Sequence, residues 1–121
     1  MAQNKELDSI PPQLKAMFKI LSDVTVVEPT KLFDDMAYVG YKGVGAFVIN
    51  TWDGIVIIDS IWAYNDAKDV IIPGIKKLGW DPEGIKYVLL THGHLDHYGS
   101  ARYFEINMTP KFLSVKSIGI I

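Results

Sequence analysis

Hydrophobic residues recur with two different periods along this chain, and the period changes near residue 59. Three short runs, Met36–Val39, Ala46–Ile49 and Ile55–Ile58, are rich in β-branched and aromatic residues and are separated by turns that contain glycine. The turn between the last two runs, Trp52-Asp53-Gly54, is typical of a hairpin. This pattern predicts a meander of antiparallel strands in one sheet.

Helical spacing occurs on both sides of these strands. Leu14, Met17, Phe18 and Leu21 lie three or four residues apart after Pro11-Pro12, which predicts a short amphipathic helix that ends near residue 22. We expect its apolar face to contact the core; a lid over a site is the alternative.

A second helix is predicted after Asp59. Asn65 or Asp66 is placed to cap it, Gly79 is placed to end it, and Pro73 is expected to bend or restart it. Its apolar face comprises Ala67, Val70, Ile71, Ile75 and Leu78. A turn at residues 81–84, a buried strand at residues 85–90 and a further helix from about Gly99 follow. The fold class is therefore α/β, with polar residues at the carboxyl end of a strand.

All three histidines of the chain lie within six positions, His92 to His97, directly after the predicted buried strand. Imidazole nitrogens together with the carboxylate of Asp96 suit zinc, iron or manganese. If the segment is extended, His92 and His94 project to the same side. We therefore predict a metal site formed by His92, His94, Asp96 and His97.

The motif His92-x-His94-x-Asp96-His97, at the end of the apolar run Tyr87–Thr91, resembles the signature of the metallo-β-lactamase superfamily. Residues 31–104 fit that family in order, and they are most similar to the third subclass of class B β-lactamases and its non-lactamase relatives. The resemblance implies the N-terminal half of an αββα sandwich. It also implies that His92 and His94 hold a first zinc ion and that Asp96 and His97 hold a second.

Further roles follow from the same resemblance. Two metal ions would bind one water molecule and lower its pKa, so that hydroxide is available near neutral pH to attack an ester, amide or related bond. Asp96 is expected both to ligate the second metal and to orient this nucleophile. Asp59 would help to position the metal ligands without binding the metal itself. The alternative is that Asp59 is a strand-end aspartate that accepts hydrogen bonds from turn amides. The aromatic residues Trp62, Tyr64 and Tyr98 are expected to serve in packing, with a substrate pocket as the alternative.

Composition limits the other functions. The chain has 121 residues, of which 49% are hydrophobic, which is enough for one core. A net charge of −2 provides no electrostatic basis for binding nucleic acid or an anionic membrane, so we expect a small-molecule substrate. There is no cysteine, so the chain offers neither disulfides nor thiolate ligands, and sulfur usage indicates no redox compartment. The polar N-terminus lacks the apolar region of a signal peptide, so a cytoplasmic location is expected.

The C-terminal tail departs from the family pattern. Residues 106–121 show neither a clear helix end nor a patterned strand, and no histidine follows His97 to complete the two metal sites. We therefore expect three parts: an extension with a short helix at 1–30, a metallo-β-lactamase-like half-domain at 31–105, and an atypical tail from a shifted reading frame. Two functions stay open, namely a hydrolase or an inactive, truncated chain that binds metal weakly and self-associates through an incomplete sheet.

Overall fold

The computed structural model describes residues 10–91, 99–108 and 110–114. One helix precedes four consecutive strands, and helical segments then alternate with two further strands. The elements are α1 (Pro12–Leu21), β1 (Val26–Phe33), β2 (Met36–Tyr41), β3 (Gly45–Thr51), β4 (Gly54–Ile58), a π-helical turn (Ala67–Ile71) continuing into α2 (Ile72–Lys77), a 3-10 turn (Pro82–Gly84), β5 (Ile85–Leu90), α3 (Ala101–Asn107) and β6 (Lys111–Ser114).

The six strands form one mixed sheet in the order β1-β2-β3-β4-β5-β6. Strands β1 to β4 pair antiparallel, and the pairing of Thr51 with Gly54 confirms the predicted hairpin turn between β3 and β4. Strands β5 and β6 then add in parallel to β4. The predicted meander and the α/β class are confirmed.

Strand β1 was not predicted, for a physical reason. Its pairing with β2 shifts register between Val27 and Thr30 and again between Lys31 and Phe33. Such bulges destroy the alternation of apolar and polar residues that identifies a strand in sequence. Pro29, which has no N–H to donate, is tolerated because the strand lies at the edge of the described sheet.

One face of the sheet is sealed by the second helix. Ala37, Val48, Ile57 and Val88 are aligned across β2, β3, β4 and β5, and each is fully buried. Helix α2 approaches this face so closely that a Cβ on Gly74 would come within 2.9 Å of the Val39 side chain. Burying each valine or isoleucine side chain of this row stabilises the fold by about 1.5–3 kcal/mol.

The second helix confirms two predictions and corrects a third. The helix restarts where expected, since Pro73 occupies the first turn of α2, where its missing N–H costs nothing. Gly79 follows the helix with φ +83°, a left-handed conformation that suits glycine. Asp66, one of the two residues predicted as the cap, does occupy the N-cap position, but the expected side-chain cap bond was wrong, because its carboxylate accepts bonds from residues that precede it.

Helix α1 forms where predicted, but the expected contact of its apolar face with the core was wrong. Leu14, Met17 and Phe18 are 40–49% exposed, whereas Leu21 packs against the core. The helix reaches the sheet through its C-terminal end, where the carbonyl groups of Ile20 and Leu21 lie against Gly43. Most of the apolar face of α1 therefore does not pack on the sheet.

The tail contains structure that the sequence did not reveal. Helix α3 ends at Asn107, and Lys111–Ser114 forms β6, which pairs in parallel with Tyr87–Leu90 of β5. A strand of four residues is too short to show a period, and β5 supplies its hydrogen bonds. The shifted reading frame and the divisions at residues 30 and 105 stay predictions. Within the described ranges, no helix is both long and apolar enough to cross a membrane.

The other face of the sheet is also apolar, yet it is only half-buried. Two rows of side chains cross β2, β3, β4 and β5 on this face. They are Tyr38, Phe47, Ile58 and Leu89 in one row, and Met36, Ile49, Val56 and Tyr87 in the next. A continuous apolar surface of this kind favours association.

We therefore expect the 121-residue chain, by itself, to self-associate through this face. Ile49→Lys should shift the chain toward monomer in sedimentation velocity, because an ammonium group in an apolar contact is costly to desolvate. Ile106→Lys is the matched control, since Ile106 is exposed on α3 and away from these rows. A parent chain that sediments as a monomer at every concentration would contradict the expectation.

Candidate metal centre

The predicted metal ligands His92, His94, Asp96 and His97 lie outside the described residues, as does Tyr98. Elsewhere, in the part of the chain that the structure describes, no group of three or more histidine, cysteine, aspartate or glutamate side chains is placed to hold a metal. The structure instead describes how the chain enters and leaves this segment, at Thr91 and at Gly99. The assignment of the four ligands stays a prediction.

The entry point is held by Asp59. This buried residue directly follows β4, and its carboxylate accepts hydrogen bonds from the Thr91 backbone N–H at 3.0 Å and from the Thr91 hydroxyl at 2.9 Å. The Asp59 N–H donates to the Leu89 carbonyl at 2.8 Å. The carboxylate that was predicted to support the ligands therefore contacts the residue immediately before His92. It also satisfies a backbone amide, as the alternative interpretation expected.

Residues 59–63, which begin with Asp59, are called the β4 loop. The later residues of this loop hold the exit point. The Ile61 carbonyl accepts the Gly99 N–H at 2.8 Å, and the Ser60 carbonyl accepts the Ser100 N–H at 3.1 Å. The Ser100 hydroxyl donates to the same Ser60 carbonyl at 2.5 Å. One loop thus bonds to both ends of the segment that carries the histidines.

The β4 loop has an unusual backbone. Asp59 and Ile61 have φ values of +67° and +65°, a left-handed conformation that is rare for side chains other than glycine and rarest for β-branched ones. Each such residue costs on the order of 1 kcal/mol and persists where the surrounding structure holds it in place. Strain of this kind is concentrated at functional sites, so it marks the loop as part of the candidate centre.

Two residues at the exit have roles that the sequence did not reveal. Gly99 packs directly on the loop, since a Cβ there would lie 2.0 Å from the Trp62 carbonyl carbon. Ser100 is fully buried, and its hydroxyl bonds to the Ser60 carbonyl. No local pattern in the sequence indicates this contact, because Ser60 and Ser100 lie 40 positions apart.

A second buried carboxylate supports the loop. Asp66 accepts hydrogen bonds from the backbone N–H groups of Trp62 at 3.0 Å and Ala63 at 2.9 Å, and from the Tyr41 hydroxyl at 2.6 Å. Burial raises the pKa of Tyr41 to about 12, and the hydrogen bond to Asp66 and the negative charges of Asp66 and Asp69 contribute. Sequence reasoning missed this pair because the two residues lie 25 positions apart.

The aromatic residues near the loop pack, as expected. Trp62 lies against the hydrophobic core, and Tyr64 contacts Tyr103 edge to face with ring centroids 5.4 Å apart.

Comparison with known proteins agrees with this geometry. The profile of the metallo-beta-lactamase superfamily matches residues 40–106, more than half of the chain, and the match includes the β4 loop and the histidine motif. The chain belongs to the metallo-beta-lactamase superfamily. The predicted membership and the predicted mixed fold are thereby confirmed.

Solved structures of this superfamily share the fold. The subclass B3 metallo-beta-lactamase BJP-1 of Bradyrhizobium japonicum is 30% identical, with a TM-score of 0.67 over 78% of this chain and 34% of its own. The metallo-beta-lactamase GOB-18 of Elizabethkingia meningoseptica is also 30% identical, with a TM-score of 0.67 over 78% of this chain and 33% of its own. The similarity to subclass B3 agrees with the subclass expected from the sequence.

Curated relatives include a lactonase. The N-acyl homoserine lactonase AttM of Agrobacterium fabrum is 42% identical over 53 residues, which are 44% of this chain and 19% of the lactonase. A metal-dependent hydrolase of Myxococcus xanthus is 39% identical over 64 residues, 53% of this chain and 20% of that protein. The chain therefore spans about a fifth of these curated relatives and about a third of the solved structures.

The donor atoms available in this member of the superfamily fit a metal cofactor. Three imidazoles and one carboxylate within six residues form a set of ligands typical of zinc. The described structure adds a buried carboxylate, Asp59, bonded to the residue before the first histidine. Outer carboxylates of this kind orient ligands in metal sites.

We expect Gly99→Ala to destabilise the fold by about 1–3 kcal/mol, since the added methyl group must displace the Trp62 backbone. Gly84→Ala is the control, because a Cβ there would have Ile55 atoms at 3.9 Å, an ordinary contact. Urea unfolding of both variants measures the difference. Equal midpoints would show that the loop moves aside without cost.

Tyr41 predicts a loss of stability at alkaline pH. The pKa of Tyr41 is raised from 10.0 to about 12 in the folded state. Its contribution to the free energy of unfolding is therefore complete below pH 10 and is lost as the pH rises from about 10 to 12. Tyr41→Phe should therefore flatten the decline of the unfolding free energy in this window. Chemical unfolding at a series of pH values tests it, and an unchanged slope would contradict it.

Proposed function

We propose that this protein is a metal-dependent hydrolase that cleaves the acyl bond of a small cyclic substrate. The observation that carries the proposal is the β4 loop, which bonds to Thr91 on one side of the histidine motif and to Gly99 and Ser100 on the other. A segment that must present several ligands to one point requires its two ends to be held in place.

The relatives favour carbonyl substrates among the candidate bonds. AttM is named as a lactonase and the solved neighbours as β-lactamases, so both groups act on a carbonyl carbon within a ring. We therefore favour a cyclic ester or cyclic amide over a phosphodiester. The loops that select one ring over another are not identified by the fold alone.

The proposed roles of the residues follow the order of the motif. His92 and His94 would hold a first zinc ion, and Asp96 with His97 a second, with iron or manganese as the alternative metals. When bound, the metal supplies Lewis acidity that lowers the pKa of a water to about 7 and polarises the substrate carbonyl. Asp96 would orient the attacking water through its carboxylate. Asp59 would keep the first ligand in position through its bonds to Thr91.

A second candidate function is a metal-binding chain without catalysis. Its basis is the motif itself, which supplies two ligands to each proposed ion, whereas catalytic zinc sites usually have three protein ligands and a water. Both candidate functions use the same metal ligands, but only the first includes hydrolysis of a substrate.

We expect the purified 121-residue chain to bind at most one zinc ion, with modest affinity, because two half-sites compete for it. His94→Ala should abolish binding, and Asp53→Ala should not, since Asp53 lies on the hairpin turn in an exposed ion pair with Lys86. Elemental analysis and titration calorimetry measure both. Two tightly held zinc ions in a monomer would contradict the expectation.

Turnover distinguishes the two candidate functions. Hydrolysis of an N-acyl homoserine lactone and of a β-lactam should require metal, and Asp96→Ala should remove most of the activity while Asp53→Ala keeps it. Zinc binding without hydrolysis of either ring would favour the non-catalytic function.

A further inference from the structure

We propose that Asp66, with Tyr41, is a positioning residue for the segment that carries the metal ligands. The proposal rests on the metal site of the proposed function and adds residues that no motif of the chain identifies. Neither residue is a metal ligand in the proposal. Both act through the β4 loop.

The first step is the contact between Asp66 and the loop. Its Oδ2 accepts both the Trp62 and the Ala63 N–H groups, so one oxygen holds two consecutive amides. Its Oδ1 accepts the Tyr41 hydroxyl, which connects the loop to strand β2. Because Asp66 is only 6% exposed, water does not replace these bonds easily.

The second step is the conformation that these bonds hold. The loop contains two left-handed residues, Asp59 and Ile61, and Ile61 directly precedes the two amides that Asp66 binds. A backbone of this kind relaxes unless neighbouring bonds oppose the relaxation. Asp66 supplies such bonds at Trp62 and Ala63, the last two residues of the loop.

The third step connects the loop to the ligand segment. The carbonyl groups of Ser60 and Ile61 accept the N–H groups of Ser100 and Gly99, and the Trp62 backbone lies in contact with Gly99. A shift at Trp62 would therefore move Gly99, two residues after His97. Ser60, Ile61 and Ser100 are fully buried, so the connection is a packed one.

The direction of the Asp66 bonds separates this role from ordinary helix capping. A capping carboxylate accepts from amides two or three residues later, which strengthens the helix. Asp66 has no such bond and accepts from amides three and four residues earlier. Its carboxylate therefore acts on the loop, not on the π-helical turn that follows it.

Asp66→Asn is the sharpest test, because an amide has one oxygen acceptor and cannot receive both the Tyr41 hydroxyl and the loop amides on separate oxygens. Tyr41→Phe removes one of the three donors and keeps the carboxylate. Tyr38→Phe is the matched control: it removes a hydroxyl from the same strand that donates to the Tyr41 carbonyl and has no bond to Asp66.

The first measurement uses the metal-free chain. Amide hydrogen exchange at Gly99 and Ser100, each compared with Val88 in the core of β5, should be about tenfold faster or more in Asp66→Asn, as expected when bonds to a charged group are lost. Tyr41→Phe should act in the same direction with a smaller effect, and it decides the question if Asp66→Asn does not fold. Tyr38→Phe should leave the ratio unchanged.

The second measurement uses cobalt(II) in place of zinc. Asp66→Asn should weaken cobalt binding about tenfold to a hundredfold and change the visible absorption of the bound cobalt. Substitutions of residues that orient metal ligands have effects of this size in other metal sites. A chain that takes up no cobalt would contradict the proposed function, and the exchange result would still decide this proposal. Unchanged exchange at Gly99 and Ser100, or unchanged cobalt affinity and spectrum, would overturn it.

Discussion

The parallel pairing of β4 with β5 is the constraint on which the candidate centre depends. Because the two strands run in the same direction, Asp59 and Thr91 emerge at the same edge of the sheet although they lie 32 residues apart. The bond between them joins these strand ends. Polar residues at the carboxyl ends of parallel strands are how open α/β sheets present chemistry.

The buried polar groups beside this edge form one connected arrangement. Asp59 and Asp66 are both buried, and a buried carboxylate is costly unless several donors satisfy it. Thr91 supplies donors to Asp59, while Tyr41 and two loop amides supply donors to Asp66. The same bonds hold the left-handed residues of the β4 loop. The loop therefore combines buried carboxyl groups with backbone strain, and strain of this kind concentrates at functional sites.

The sheet provides a rigid base for this loop through its sealed face. The buried row from Ala37 to Val88 crosses four hydrogen-bonded strands, so the ends of β4 and β5 have little freedom to separate. The opposite face carries two half-buried apolar rows. In the superfamily to which the chain belongs, the solved structures extend well beyond the matched region, since the matching 78% of this chain covers 34% of BJP-1.

The amino-acid sequence by itself determined the elements whose residues carry a local period and the chemistry carried by residue type. The three meander strands, the restart at Pro73, the strand before Thr91 and the histidine motif were all predicted, because alternation, helical spacing and ligand identity are local properties. The histidine motif alone was specific enough to indicate the superfamily.

The tertiary structure decided what depends on distant partners. Strand β1 is hidden by its bulges, β6 exists through its pairing with β5, and the exposure of α1 depends on where its end meets Gly43. Asp66 illustrates the same limit. Its sequence neighbours predict a helix cap, whereas the fold brings Tyr41 and the loop amides to its carboxylate, because burial and hydrogen bonding are set by neighbours in space.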